Sequence, residues 1–212
     1  MSEPQSTSPP EPSEGASAII TAASKLFAEQ GFEAVSVAEI ARVAGVGKAT
    51  IFHHYPSKLA LYEAVLESVR SDALWSLEDQ DWNSGELEER IASYVERQVR
   101  HLEANREILR LVQRELHSPD KEDNMRRVAR IFEEPFTRLV RLFREARVRG
   151  QTSPDVSPEV AAHLLMHAGV DFVCSRPVLV HMAGAGHTAD VSEFARNVAA
   201  ILTHGFAPRS TE

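Results

Sequence analysis

Apolar residues recur along this chain with the period of a helix, and no stretch alternates in the manner of a strand. Ile19, Ile20, Ala23, Leu26 and Phe27 make one stripe over a segment from about Ala16 to Gln30, and Gly31 ends it. Phe32 and Val35 lead into a pair of short segments. A further helix opens near Ser57 and carries Leu59, Tyr62, Val65, Leu66, Val69 and Leu74. Beyond a break at Asp79 to Gly85, Leu87, Ile91, Tyr94, Val95 and Leu102 mark one helix. Ile108, Leu109, Val112 and Leu116 mark the next, stopped by Ser118-Pro119. A long helix then runs to about Arg149, with Val128, Phe132, Phe136, Leu139, Leu142, Phe143 and Ala146 on its apolar face. Pro135 lies inside it and predicts a kink, because Ile131 loses a backbone partner. Ser157-Pro158-Glu159 opens a helix to about Cys174, with Arg176-Pro177 as a predicted break. Gly184-Ala-Gly186 precedes a last helix from Asp190 to Thr203. The fold class this predicts is all-α.

Residues 36 to 58 stand out: Ser36-Val-Ala-Glu-Ile-Ala-Arg-Val-Ala-Gly-Val-Gly-Lys-Ala-Thr-Ile-Phe-His-His-Tyr-Pro-Ser-Lys58. They read as two short helices across a tight turn. Ser36 caps the first, and Glu39 three residues on completes a capping box. Ala41 is small enough to let the helices cross closely, and Gly45 suits the positive φ of the reversal. Val46 and Ile51 anchor the second helix. Lys48, Thr50, His53 and His54 are left with little to bury, on a helix short enough for a DNA major groove. Lys58, in the first turn of the following helix, and Ser36, at its own helix start, are placed to hold phosphates.

With the helix before it, this stretch resembles the DNA-binding domain of TetR-type transcriptional repressors over roughly residues 16 to 66. The most specific part is Gly45-Val-Gly-Lys-Ala-Thr-Ile-Phe-His-His-Tyr-Pro-Ser-Lys58 followed by Leu61. The resemblance implies a ligand-responsive regulator, most often a repressor. It also implies a homodimer built on the last two helices, two heads on a near-palindromic operator, and a small-molecule effector of unknown identity. Ala49 and Phe52 join Ser36, Lys48, Thr50, His53, His54 and Lys58 as the DNA-contact set. Three positions depart from the family pattern. Phe52 replaces the usual tyrosine, so a phosphate-contacting hydroxyl is missing. Ala38 stands where some members have a polar contact residue. Gly47 replaces the usual serine or threonine cap, at a cost of a few tenths of a kcal/mol.

Charge sharpens the domain picture. The 212-residue chain carries a net charge of −8, which argues against a general nucleic-acid binder. The stretch from Ala16 to Lys58 nevertheless has four bases (Lys25, Arg42, Lys48, Lys58) against three acids (Glu29, Glu33, Glu39). DNA contact is therefore expected on one small face, with an acidic body held off the phosphates. Residues 1–14, rich in proline, serine and acid, read as a disordered tail. Residues 15–60 read as the helix-turn-helix domain, and residues 61–206 as a helical ligand-binding and dimerisation domain. The single Cys174 excludes an internal disulfide. No apolar run approaches the about 20 residues of a membrane span, and no signal-peptide core is seen, so the expectation is a cytoplasmic protein without a membrane partner.

The body offers two chemical leads. Gln113, Phe132, Phe136, Phe143, His163 and His167 are the candidate ligand-binding residues, for a largely apolar or aromatic effector oriented by one or two polar groups. The alternative is a metal-dependent sensor or enzyme using the His163/His167/Asp171 face, since the i, i+4 histidine pair suits a shared ion. Cys174 shares that face, but its eleven steps from His163 span roughly 16 Å, too far for one ion. No cofactor is implied. Neither a Gly-x-Ser-x-Gly elbow nor a phosphate-cradling loop occurs, so the expectation is a protein that is not an enzyme.

Overall fold

In the computed structural model, residues 14–78, 82, 85–116, 121–184 and 190–205 are described. Among them lie nine helices and no strand: α1 (Glu14–Gln30), α2 (Val37–Ala44), α3 (Lys48–His54), α4 (Lys58–Glu78), α5 (Leu87–Ala104), α6 (Arg106–Leu116), α7 (Lys121–Val148), α8 (Pro158–Leu179) and α9 (Val191–His204). The chain divides into two compact units, with the boundary after Val65, inside α4. The predicted tail at residues 1–13, the stop at Ser118-Pro119 and the turn residues Ala185 and Gly186 lie outside the described residues. Glu14, assigned to that tail from sequence, is the first residue of α1.

The first unit is a small core of α1, α2, α3 and the start of α4. Ile19, Ala23, Phe27, Val35, Ile40, Ile51, Leu61 and Val65 are almost completely buried. Phe27 meets Tyr62 edge to face at 5.0 Å, and Phe32 packs on the same ring at 5.0 Å. Such pairs contribute about 0.5–1.5 kcal/mol beyond the area they bury.

The second unit is a layered helical body. Ile91, Val95 and Val99 of α5 pack with Leu139 and Phe143 of α7, Leu165 and Phe172 of α8, and Ala195, Ala199 and Leu202 of α9. Alanines at 161, 162, 195 and 199 are fully buried, which lets these helices approach closely. The helix α8 departs from the sequence reading, since it continues through Pro177 to Leu179. A proline removes the bond to the carbonyl four residues earlier and crowds that carbonyl. Here that loss falls in the final turn, and the following carbonyls of Arg176 and Val178 accept from Val180 and His181.

Candidate functional site

The head is built from its turn outward. Ser36 Oγ accepts from the Glu39 N–H at 3.2 Å, closing the start of α2. The reciprocal half of the predicted capping box is not made: the Glu39 carboxylate accepts from Gln30 Nε2 at 3.0 Å, tying α2 to the end of α1. Gly45 caps α2 at φ 69°, and its N–H reaches the carbonyls of Ala41 and Arg42. An L side chain is disfavoured there, which explains glycine at the reversal. Gly47 starts α3 in extended conformation with no side-chain cap.

On α3 the only buried residue is Ile51. Lys48, Ala49, Thr50, Phe52, His53 and His54 are all exposed. At 100° per residue, Ala49 and His53 lie opposite Ile51, flanked by Thr50 and Phe52. Phe52 is 48% exposed, unusual for so large an apolar ring with core beside it. The rings of His53 and His54 meet edge to face at 5.4 Å. Tyr55 closes the helix, and burial pushes its phenol pKa up.

Lys58 has a different place from the one its sequence position suggests. Its ammonium donates to the carbonyls of Phe32, Glu33 and Val35 at 2.7, 3.3 and 3.1 Å. It also sits 4.3 Å from the Phe32 ring centroid. An ammonium has three N–H groups, and all three are matched to carbonyls here. Lys58 therefore ties the α1–α2 connection to α4, a positioning role that the sequence pattern did not reveal. The exposed Ser36 uses its hydroxyl as an acceptor in this cap, not as a donor.

In the body, α4, α5, α6, α7 and α8 enclose a cavity of about 190 Å³. Gln113, Phe132 and His167, selected from sequence, line it, as does Pro135. Phe143 does not: it is 1% exposed and belongs to the core. Phe136 is half-buried and packs against that core instead of the cavity. Phe132 and Phe136 stand one helical turn apart on the same face of α7, yet only Phe132 reaches the cavity. His163 is exposed and absent from the lining. Tyr94, Gln98, His101, Met166 and Val170 are among the further lining residues and were missed, since a cavity assembled from five helices has no local sequence signature. Gln98 is spent on structure: its Oε1 accepts from Gly169 N–H and its Nε2 donates to the Met166 carbonyl, both at 2.8 Å. A larger open groove, about 840 Å³, is rimmed by Glu86, Glu88, Glu89 and Arg196 and holds none of the sequence-selected residues.

His163 and His167 have ring centroids 4.5 Å apart. His167 Nδ1 donates to the His163 carbonyl at 2.9 Å, so one ring nitrogen is already taken. Among the described residues, no three His, Cys, Asp or Glu side chains are placed to share a metal ion. None of the described helices is long and apolar enough to cross a membrane.

Residues 19–65 match the family model described as bacterial regulatory proteins, tetR family. A transcriptional activator, FasR of Mycolicibacterium smegmatis, is 45% identical over 49 residues, 23% of this chain and 22% of that protein. The chain thus spans about a fifth of that relative. The fold extends further. The fatty acid degradation regulator FadR of Bacillus halodurans superposes with a TM-score of 0.74 at 18% identity, over 94% of this chain and 100% of that one. FadR of Bacillus subtilis, solved in complex with stearoyl-CoA, gives 0.70 at 18% identity, over 90% of this chain and 99% of that one.

Proposed function

We propose that this chain, whose head belongs to the tetR family of bacterial regulatory proteins, is a sequence-specific DNA-binding transcriptional regulator. A small molecule held in the body shifts it off its operator, as expected of a repressor. The observation that carries the reading is α3, anchored by Ile51 alone with every other side chain exposed. Such a helix can enter a major groove without disturbing its own core. Lys48 donates to guanine edges, Thr50 to a base or phosphate, and Phe52 and Ala49 offer apolar contact to thymine methyls.

The assembly that fits is a homodimer on a near-palindromic site in the cytoplasm. Exposed apolar residues on α8 support it: Val160 at 54%, Leu164 at 50% and Val178 at 62%. The effector occupies the cavity beside Phe132, and binding there biases the protein between DNA-competent and DNA-incompetent arrangements. A fatty acyl thioester, the ligand of the Bacillus subtilis FadR structure, is one effector class to compare against.

The test is selection of binding sites from random duplex DNA, followed by anisotropy with the selected and a scrambled duplex. Thr50→Ala and Lys48→Ala are each expected to weaken specific binding by about 1–3 kcal/mol. Unchanged affinity in both variants, or no selectable site, removes the assignment.

A further inference from the structure

The cavity itself restricts what can fill it, given the ligand-responsive reading above, on which this argument rests. Its described walls include Val69, Leu102, Val112, Val128, Phe132 and Val170, and none of its described lining residues is Lys, Arg, Asp or Glu. Burying a carboxylate or phosphate against such walls is costly, because no described lining residue neutralises it. Size is the second restriction. An apolar cavity near 150 Å³ takes one benzene ring, and this one is about 190 Å³.

Polarity is the third. The Gln98 carboxamide is engaged by the α8 backbone through both its oxygen and its nitrogen. Of the lining groups, His167 has a defined tautomer. A carbonyl only accepts, so the 2.9 Å contact with His163 O requires the proton on His167 Nδ1. In the neutral ring Nε2 is then an acceptor, and because His167 is exposed a ligand O–H or N–H takes the place of water there.

We infer that the effector is a compact uncharged molecule of roughly ten non-hydrogen atoms, an apolar ring or short chain carrying one O–H or N–H that donates to His167 Nε2. The chain of a long acyl thioester exceeds this volume.

Four probes test this on the full-length protein by calorimetry: para-ethylphenol, its methyl ether para-ethylanisole, para-ethylbenzoate and decanoyl-CoA. The phenol is expected to bind roughly five-fold tighter than the ether, the worth of one net hydrogen bond. His167→Phe keeps a ring at the site but removes the acceptor, and should bring that ratio to about one. His167→Gln, which supplies a carbonyl acceptor, should restore part of it. Val170→Trp, filling the cavity, should abolish phenol binding. The inference is overturned by an ether that binds as tightly as the phenol, by a benzoate or thioester that binds tighter, or by no phenol binding up to millimolar concentration.

Anisotropy on selected operator DNA separates the two readings. Release by decanoyl-CoA alone leaves the ligand-responsive regulator standing and overturns the compact neutral effector. Phenol binding that depends on His167, with operator affinity unmoved by every probe, overturns the regulatory reading and keeps the cavity chemistry.

Discussion

Gln98 on α5 lies against the backbone of α8 at Gly169, and a Cβ added at Gly169 would stand 2.5 Å from Gln98 Oε1 and 2.8 Å from its Cγ. The absence of a side chain at Gly169 is what lets the amide reach the helix. Gln98 and Met166 both line the cavity, so this clamp fixes part of its wall. Gly169→Ala should destabilise the body by about 1–3 kcal/mol, the usual cost of overpacking. Gln98→Ala added to it removes the clash, so the double variant should be less destabilised than the two single effects combined. Denaturant midpoints of the four proteins check this, and simple additivity would mean that the two residues do not collide.

Lys58 gives a second prediction because its two possible roles differ in salt dependence. A phosphate contact would contribute about 0.9 to the slope of log affinity against log salt. A lysine spent on three carbonyls contributes nothing to that slope. Lys58→Met should therefore leave the slope unchanged while lowering head stability by about 1–3 kcal/mol, the range for a charge-assisted hydrogen-bond site. Thermal melts and a salt titration of operator binding decide it. A slope reduced by about one unit with unaltered melting would restore the phosphate role.

The contrast between these residues shows what the sequence could convey. Stripes such as Ile19, Ala23 and Phe27 announce their helices because one face of a helix must be buried. The turn at Gly45 and the anchor Ile51 are local, and both were legible. Lys58 and Glu39 were read as a phosphate contact and half of a capping box, and their partners in the structure were not legible because they lie 23 to 26 and nine residues away in the chain. The cavity was half legible. Periodicity placed Phe132, Phe136 and Phe143 on one face of α7, but which of them meets space and which meets core depends on the helices packed around it. Leu165 and Phe172 of α8 show the same limit: they lie in the protomer's own core, and helical period alone does not separate such a stripe from one that pairs with another subunit.

Glu159 supplies a pH prediction. Its Oε1 accepts from Arg144 at 2.6 Å and its Oε2 from Ser157 Oγ at 2.8 Å, and these bonds hold its pKa down to about 2. A depressed folded-state pKa means that the contribution is present above the unfolded value of 4.5 and is lost as pH falls toward 2. The contribution is small because the group is exposed. Carboxyl titration by NMR should show Glu159 ionising well below ordinary glutamates. Arg144→Gln should move its midpoint back up, and a midpoint that stays put would deny the Arg144 bond its role.

Phe132 and Phe143 should separate cavity from core. Phe143→Ala removes a fully buried ring from the α5–α7–α8 core and should cost about 3–5 kcal/mol, with ligand binding lost only to the extent that the body unfolds. Phe132 is half-buried and borders existing space. Phe132→Ala should cost less than that and change probe affinity in a protein that still melts cooperatively. Calorimetric melts beside probe titrations test both, and equal stability losses with equal probe affinities would mean that the cavity is not a binding site.

The proposed homodimer gives the last prediction, and the structure shifts it from Leu165 to Leu164. Leu165 is fully buried within its own protomer, so Leu165→Glu would unfold the body whatever the oligomeric state. Leu164, its neighbour, is half exposed and lies one turn from the exposed Val160. Neighbouring apolar residues left in water on a helix mark a surface that another chain can cover. Leu164→Glu should leave the melting temperature of the isolated protomer nearly unchanged, since it empties no core site. It should raise the dimer dissociation constant by about a hundred-fold or more, because it places an unpaired carboxylate in an apolar seam. Operator affinity should fall with it, since the two heads would no longer be linked. Sedimentation velocity over a concentration series measures the first effect and anisotropy the second. A Leu164→Glu protein that remains dimeric and binds its operator as before would move the interface off this face of α8.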